Sequence, residues 1–271
     1  MGKVILITGA SSGMGKETAV KLIREGHTVY AVARRVEQMQ DLQEMGGHPM
    51  AMDVTNEADI QRVVDAIMQR EGKIDVLWNN AGYGLYGSVE DVPLAEARKQ
   101  MEVNLFGLAA VTQKVTPHMR KAKSGTIINT SSMGGKMYFP MGAWYHASKH
   151  ALEGLSDCLR LELEPFNIKV VILEPGFIAT EFGHVLLDNF DKLPKDSAYR
   201  GMMDVIAAGT KNASSAGGSS KPSIIADTVS KIISTDRPKT RYRVGKFAKP
   251  MVWMRIYLGD RLFDRILKTQ L

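Results

Sequence analysis

Short apolar runs alternate with longer segments of helical period along most of the chain. The runs are rich in Val, Ile, Leu and Met and predict strands at Val4–Ile7, Thr28–Val32, His48–Met52, Ile74–Trp78, Thr126–Thr130 and Lys169–Leu173, with a seventh short strand at Arg241–Val244. The segments between them predict helices, for example at Gly15–Arg24, Glu57–Arg70 and Leu94–Arg120. Strands buried on both faces give continuous apolar runs, so this order predicts an α/β fold: a doubly wound, mostly parallel sheet flanked by helices.

No linker or internal repeat divides the chain, so residues 1–271 are expected to form one domain. Residues 180–222 are expected to form a lid, because 180–206 carries apolar residues around a polar stretch and predicts one or two amphipathic helices. The Gly-, Ser- and Ala-rich composition of Thr210–Pro222 predicts a mobile loop. Residues 246–271 predict an amphipathic helical extension that caps the domain or its pocket.

Composition excludes several classes of protein. The 271 residues are 44% hydrophobic and 24% charged, too apolar for a disordered chain, and the single Cys158 excludes a disulfide scaffold. No apolar stretch reaches the ~18 residues that a membrane-spanning helix needs. A strand that begins at Val4 leaves no room for a signal peptide. We therefore expect a cytoplasmic globular protein.

The net charge of +6 is concentrated near the C-terminus. Nine Lys or Arg against two Asp between Lys239 and Leu271 give this segment a charge of +7, which leaves −1 for residues 1–238. A solvated basic helix face is the simplest interpretation, and peripheral contact with a membrane surface or an acidic partner is the alternative. Nucleic-acid binding is not expected, because the tail lacks stacking aromatics interleaved on a sheet.

A glycine-rich turn follows the first predicted strand, with the sequence Thr8-Gly9-Ala10-Ser11-Ser12-Gly13-Met14-Gly15. Glycines at this point permit a tight turn and let the backbone approach a pyrophosphate at a helix N-terminus. Dinucleotide folds that bind NAD usually carry an acid after the second strand, whereas this chain has Arg34 and Arg35 there. Guanidinium groups suit a 2′-phosphate, and Lys16 would add charge, so NADP(H) is the predicted cofactor. The alternative is two solvated arginines at the start of a helix.

A tyrosine and a lysine lie four residues apart at the start of a predicted helix. Tyr145 and Lys149 share one helix face, and a nearby ammonium is expected to lower the pKa of the phenol, which suits proton exchange with a carbonyl or an alcohol. Ser132, thirteen residues upstream of the tyrosine, follows a predicted strand at the sheet edge where ligands bind. Asn104 lies in a helix-forming stretch, where asparagine often marks a local distortion.

Over residues 1–245 these motifs, in this order, resemble the short-chain dehydrogenase/reductase family. The resemblance adds Asn80-Ala81-Gly82 after the fourth strand, Asp53 and Val54 after the third, and Pro175, Gly176, Ile178 and Thr180 after the sixth. It implies a Rossmann-type fold in which Tyr145 is the general acid/base, Ser132 polarises the substrate oxygen, Lys149 holds the nicotinamide ribose and Asn104 anchors a proton-relaying water. It further implies an NADP(H)-dependent exchange between an alcohol and a carbonyl, with Asp53 near the adenine and Thr180 near the nicotinamide carboxamide.

The resemblance also implies a homodimer or homotetramer, built on the segment 94–120 and the helix after Trp144. The C-terminal extension resembles the branch of hydroxysteroid and retinol dehydrogenases, so a bulky apolar alcohol or ketone such as a steroid is the expected substrate. A 3-oxoacyl thioester or a range of small ketones is the alternative, and a non-catalytic NADP-binding sensor is a more distant one. The wall of the pocket is expected to include Met133, Met137, Tyr138, Phe139, Met141, Trp144, Phe177, Phe182, Leu186 and Leu187. No metal is expected: His146 and His150 have i, i+4 spacing but lack the intervening glutamate of a zinc site.

Overall fold

Seven parallel strands form one sheet in the computed structural model, which describes residues 2–215 and 217–269. The strands are β1 Val4–Thr8, β2 Thr28–Ala33, β3 His48–Ala51, β4 Val76–Asn79, β5 Gly125–Thr130, β6 Ile168–Pro175 and β7 Arg241–Val244. Their spatial order is β3-β2-β1-β4-β5-β6-β7, so the strand order reverses beside β1, between β1 and β4. The predicted fold class is confirmed, and every predicted strand is present with its ends shifted by at most two residues.

Alternate residues of each central strand enter two separate apolar cores. On one face of the sheet, Val4 and Leu6 of β1 pack with side chains of the segments 57–71 and 108–122. On the other face, Ile5 and Ile7 pack with side chains of 13–24 and 223–234. Every residue of β1 is buried, which is why this strand has no polar alternation in its sequence.

The α-helices lie between the strands in sequence or follow the last strand, and several of them cover the two faces of the sheet. In the described residues they are α1 Gly13–Arg24, α2 Gln40–Glu44, α3 Glu57–Glu71, α4 Leu94–Met101, α5 Leu108–Ala122, α6 Ala143–Leu163, α7 Phe182–Lys192, α8 Arg200–Ser215, α9 Ser223–Ser234, α10 Ala248–Tyr257 and α11 Asp260–Lys268. A six-residue π-helical segment, Glu102–Gly107, joins α4 to α5 and contains Asn104. The predicted distortion at Asn104 is therefore present.

The predicted mobile loop at Thr210–Pro222 is wrong in its first half. Helix α8 continues to Ser215, and its apolar residues Met203 and Ile206 pack with Leu186 and Phe190 of α7, which stabilises a helix that composition alone did not predict. Beyond residue 216, which lies outside the described residues, Ser220 pairs with Ile178 in an isolated bridge. The lid region thus contains two helices, α7 and α8, as the apolar pattern predicted.

The C-terminal extension forms α10 and α11, which pack on the segment that follows β5. Met251, Val252 and Phe263 join Met133 and Met137 in one apolar cluster. The extension therefore lies against the segment that contains Ser132. Across the described residues, none of the helices has the length and apolar character required to span a membrane.

Candidate active site

The glycine-rich turn has a backbone that other residues would not adopt. Gly9 and Gly13 have φ values of 66° and 55°, in the left-handed region that favours glycine. A Cβ at Gly15 would lie 2.3 Å from the carbonyl oxygen of Gly9. Because α1 begins at Gly13, this backbone leads directly into a helix N-terminus, and the turn is shaped to let a ligand approach its amides.

The segment after β4 is tied to the glycine-rich turn by four hydrogen bonds. The backbone amides of Asn80 and Ala81 donate to Oγ1 of Thr8, each at 3.0 Å. The Asn80 amide group donates to the carbonyl oxygens of Thr8 and Gly9, each at 3.1 Å. The two segments that the sequence assigned to the cofactor are thus held as one unit at the carboxyl end of β1 and β4.

A carboxylate that sequence analysis did not identify lies near both Arg35 and the glycine-rich turn. Oε2 of Glu181 accepts a hydrogen bond from Oγ of Ser12 at 3.3 Å and lies 3.9 Å from Nη2 of Arg35. Its neighbour Thr180 has Cγ2 3.3 Å from where a Cβ of Gly13 would stand. The segment after β6 therefore covers the turn, and the position of Glu181 directly after Thr180 was the only sequence signal for it.

Three other residues that the sequence associates with the cofactor have different surroundings. Nζ of Lys16 pairs with Asp41 at 2.9 Å and donates to the carbonyl oxygen of Gln38 at 2.7 Å, so its charge is directed toward α2 rather than the turn. Oδ1 of Asp53 accepts from both the amide and the hydroxyl of Thr55. Val54 is buried, and its carbonyl oxygen would be 2.8 Å from a Cβ at Gly107.

The segment after β6 is held by close backbone contacts. A Cβ at Gly176 would lie 2.0 Å from the carbonyl oxygen of Lys246, so only glycine fits between β6 and the segment after β7. Pro175 ends β6, and Ile178 pairs with Ser220 in an isolated bridge. These contacts direct Thr180 toward Gly13 at the turn.

Tyr145, Ser132 and Lys149 converge at the carboxyl end of β5. The side chain of Ser132 lies close enough to the Tyr145 hydroxyl to act on the pKa of the phenol. Nζ of Lys149 donates to the carbonyl oxygen of Thr130 at 2.9 Å and lies 6.0 Å from the centre of the Tyr145 ring. Ser131 is directed elsewhere, since its Oγ lies 2.5 Å from where a Cβ of Gly135 would stand.

The expected lowering of the Tyr145 pKa is wrong for this structure. Burial raises the pKa of Tyr145 to about 12, although the hydrogen bond from Ser132 acts in the opposite direction. Burial likewise lowers the pKa of Lys149 to about 8, against the field of Glu153. Removal of both groups from water outweighs the attraction between ammonium and phenolate that the four-residue spacing suggested. The phenol is therefore held in the form that donates a proton.

Asn104 links the π-helical segment to the same site. Its amide group donates to the carbonyl oxygen of Tyr83 at 2.9 Å and to Oγ of Ser148 at 3.1 Å, while its Oδ1 accepts from the Tyr83 amide at 3.0 Å. A Cβ at Gly82 would lie 3.0 Å from Oδ1 of Asn104 and 3.6 Å from Nζ of Lys149. Gly82 therefore keeps open the space between the asparagine and the lysine.

Two aromatic rings cover the candidate catalytic tyrosine. The ring centres of Tyr86 and Phe182 lie 5.7 Å and 5.4 Å from that of Tyr145, and they are 5.9 Å from each other. A Cβ at Gly84 would lie 2.5 Å from the Phe182 ring, which leaves no room for a larger residue. Phe182 is the first residue of α7, so this helix contacts the site directly.

The predicted apolar wall is divided among several clusters. Met141 and Leu186 pack together with Phe190 and Met203 beneath the lid helices, with Leu187 against them. Phe177 stacks on Phe139. Met133 and Met137, in contrast, are core residues beneath α10 and α11, with Tyr138 and Phe139 against them. Trp144 faces a groove beside α4. The sequence could not separate these positions, because Met and aromatic residues serve both as core and as pocket wall.

The histidine pair is not arranged as a metal site. Both ring nitrogens of His146 are within hydrogen-bonding distance of backbone atoms, Nδ1 with the carbonyl oxygen of Gly134 and Nε2 with the amide of Phe139. Within 2–215 and 217–269, no group of three or more His, Cys, Asp or Glu has the arrangement that could hold a metal ion.

Comparison with known proteins places this geometry in context. The family model described as short chain dehydrogenase matches residues 3–189. The chain is 44% identical over 180 residues to 3-ketodihydrosphingosine reductase of Bacteroides thetaiotaomicron, a match that spans 66% of this chain and 65% of that protein. It is 37% identical over 280 residues to the uncharacterized oxidoreductase YusZ of Bacillus subtilis, which covers 99% of this chain and 98% of that one. The solved structure of serine dehydrogenase in its closed form with NADP+ superposes with a TM-score of 0.78 at 26% identity, over 89% of this chain and 94% of that one.

Proposed function

Because this chain belongs to the short-chain dehydrogenase family, we propose that it is an NADP(H)-dependent oxidoreductase that interconverts an alcohol and a carbonyl compound. The observation that carries the proposal is the convergence of Tyr145, Ser132 and Lys149 beside the glycine-rich turn. A proton donor, a second hydroxyl for the same oxygen and a cation meet there at the carboxyl ends of parallel strands, where this type of sheet binds its ligands.

The cofactor would lie along the glycine-rich turn and across the ends of the central strands. Close packing of Gly9, Gly13 and Gly15 against neighbouring protein atoms fixes the shape of the turn that would receive the cofactor. The residues proposed to hold it are Gly9, Ser11, Ser12, Gly13, Met14, Gly15, Arg34, Arg35, Asp53, Val54, Asn80, Ala81, Gly82, Tyr145, Lys149, Pro175, Gly176, Ile178 and Thr180. When bound, the nicotinamide ring supplies or accepts the hydride.

The choice of NADP(H) over NAD(H) rests on Arg34 and Arg35. Both side chains are exposed at the end of β2, and Arg35 is already close to a carboxylate at the turn. A phosphate in the same region would gain charge-assisted hydrogen bonds from these guanidinium groups. The NADP+ of the similar serine dehydrogenase structure supports the same choice.

Each of the proposed catalytic side chains has a separate task. Tyr145 donates its phenolic proton to the carbonyl oxygen in reduction and accepts it back in oxidation. Ser132 donates a hydrogen bond to the same oxygen and orients it. Lys149, fixed on the Thr130 carbonyl, would contact the cofactor ribose and favour the phenolate that forms in turnover. Asn104 would hold the backbone around Tyr83. It would also bind a water through which Tyr145 regains its proton.

The proposed substrate is a bulky apolar alcohol or ketone. The lid residues nearest the tyrosine are aromatic or aliphatic, which favours an apolar molecule such as a steroid or a keto-substituted sphingoid base. The relative named 3-ketodihydrosphingosine reductase supports a keto compound of the second kind, over the 180 residues that match. A 3-oxoacyl thioester or a small ketone is the alternative. Residues 180–222 would act as the lid of a single catalytic domain.

The assembly is proposed to be a homodimer, or a homotetramer built from it. Large apolar side chains are exposed on α4, the π-helical segment and α6, including Leu94, Phe106 and Leu161. Leu94 and Phe106 line a groove of about 340 Å³ together with Trp144. Exposed apolar residues of this size favour burial against a second copy.

A cytoplasmic location is proposed from the free, exposed Cys158, and peripheral membrane contact by the basic tail is a further proposal.

The test is oxidation of NADPH by the purified protein against a panel of carbonyl compounds. The panel contains keto-steroids, a keto-substituted sphingoid base, a 3-oxoacyl thioester and small ketones. Turnover with the first two classes supports the proposed substrate, and a preference for the thioester or small ketones selects the alternative. Tight binding of NADPH with no turnover on any compound would favour a non-catalytic sensor.

A further inference from the structure

The imidazole of His146 is buried next to the candidate catalytic tyrosine and uses both of its nitrogens. Its Nε2 lies 3.0 Å from the backbone amide of Phe139, and its Nδ1 lies 2.9 Å from the carbonyl oxygen of Gly134. An amide can only donate, so Nε2 is the acceptor and the single ring proton resides on Nδ1. Burial lowers the pKa of His146 to about 4, so the ring is neutral near pH 7.

Both partners of the ring belong to residues 132–142, which we call the substrate loop. It runs from the proposed catalytic serine to the start of α6. The contacts are tight at both ends, because a Cβ at Gly134 would lie 2.8 Å from Nδ1 and a Cβ at Gly142 would lie 2.8 Å from Nε2. The imidazole therefore fills the space beneath the loop and ties two of its peptide groups to α6.

Gly134 links the ring to Ser132 through the two peptide groups on either side of its Cα. The amide of Gly134 donates to Oγ of Ser132 at 3.0 Å, while the carbonyl of the same glycine accepts from His146. Ser132 in turn lies close enough to Tyr145 to act on the pKa of its phenol. A continuous path of contacts thus connects the ring to the serine.

We propose that His146 is a positioning residue, which sets the orientation of the Ser132 hydroxyl by holding the backbone of Gly134 through its carbonyl group. This inference rests on the proposed function, since the serine is placed there in the reaction. The nitrogens of the ring bond to the backbone of the substrate loop, so its proposed action on the reaction is indirect. The histidine keeps the serine hydroxyl where it can donate to the substrate oxygen. Without the histidine, the hydroxyl would turn together with the substrate loop.

The two hydrogen bonds of the ring have different consequences. The bond from Nδ1 to Gly134 acts on Ser132, whereas the bond at Nε2 holds Phe139. Phe139 is five residues further along the chain than Gly134 and stacks on Phe177. An asparagine side chain can place an NH₂ group near the position of Nδ1, and a glutamine can place an oxygen near that of Nε2. His146→Asn therefore preserves the bond that matters for the serine, and His146→Gln preserves the other.

The experiment compares His146→Asn, His146→Gln and His146→Leu in steady-state reduction of the preferred carbonyl. His150, on the same helix but exposed, supplies the matched controls His150→Asn and His150→Leu. We expect kcat to fall about ten- to hundredfold for Leu and for Gln, and less than about threefold for Asn, with the KM for NADPH unchanged throughout. Both His150 variants should retain the wild-type kcat.

A folded His146→Leu variant with wild-type kcat would overturn the proposal. If the Leu variant does not fold, the comparison of Asn with Gln decides, and equal kcat values for the two would overturn it. Nitrogen-15 NMR of the wild-type imidazole gives a test that needs no turnover. The proposal requires a proton on Nδ1 and none on Nε2 between pH 6 and 8, and the opposite tautomer would contradict it. Absence of turnover in the wild type would count against the proposed function alone, because the tautomer is measured separately.

Discussion

Oε2 of Glu181 accepts a hydrogen bond from Oγ of Ser12, so a carboxylate from the edge of the lid lies on the glycine-rich turn. The same oxygen is 3.9 Å from Arg35. A negative group of the protein thus occupies a region in which the proposed function requires the negative groups of the cofactor. Binding of NADPH would have to displace this carboxylate or bring like charges together.

Glu181→Gln is therefore expected to tighten NADPH binding. The carboxylate is largely exposed, so the gain is about two- to fivefold in Kd, and it should shrink at high salt. Fluorescence titration of NADPH at low and high ionic strength measures it. Glu162→Gln, on the exposed part of α6, is the control for a general change in net charge, and equal effects of the two substitutions would refute a local cause.

Joint replacement of Arg34 and Arg35 by alanine is expected to change cofactor preference. Loss of charge-assisted hydrogen bonds to a 2′-phosphate should weaken NADPH binding at least tenfold, with little effect on NADH. Titration of both cofactors against wild type, the double variant and the control Arg24→Ala tests this. An unchanged ratio of the two Kd values would exclude these arginines as the 2′-phosphate site.

Met137→Ala is expected to destabilise the protein by about 2–5 kcal/mol, because it removes a buried side chain between the substrate loop and the C-terminal helices. Trp253→Ala, on α10 but more than half exposed, should cost far less. Urea unfolding measures both. A loss for Met137→Ala no larger than that for Trp253→Ala would show that α10 and α11 do not pack on the loop as described.

The stability of the protein should fall as the pH is lowered from about 6.5 to about 4, in part through His146. Its pKa is depressed in the folded state, so the unfolded chain takes up a proton in this range that the folded one does not. The contribution of the neutral His146 to the free energy of unfolding is therefore complete above pH 6.5. It is lost as the pH approaches 4, by as much as about 3 kcal/mol. Urea unfolding at pH 7 and 4.5 should show a smaller loss for His146→Asn than for the wild type. An identical loss of stability in the two proteins would mean that His146 does not contribute to the pH dependence.

Much of this architecture could be predicted from local sequence. The strands were found because burial on both faces leaves continuous apolar runs, and the distortion at Asn104 because asparagine competes for backbone hydrogen bonds in a helix. Tyr145 and Lys149 were paired by helix geometry, and the structure places both beside Ser132.

The features that the sequence did not predict depend on contacts between segments that are distant along the chain. The position of Glu181 on Ser12 joins residues 169 positions apart, and no local pattern encodes it. Burial of Met133 and Met137 beneath α10 and α11 is likewise a tertiary contact. The pKa of Tyr145 was predicted in the wrong direction because spacing reveals a neighbouring charge but not the removal of water.

The most direct test of the account is the reductase activity of Tyr145→Phe together with its affinity for NADPH. The substitution removes only the phenolic oxygen, so the account predicts a fall in kcat of at least about a hundredfold with a Kd for NADPH within about twofold of the wild type. Tyr86→Phe, the neighbouring ring that is not assigned a proton, serves as the matched control. Wild-type kcat in a folded Tyr145→Phe variant would contradict the assignment of Tyr145 as the proton donor.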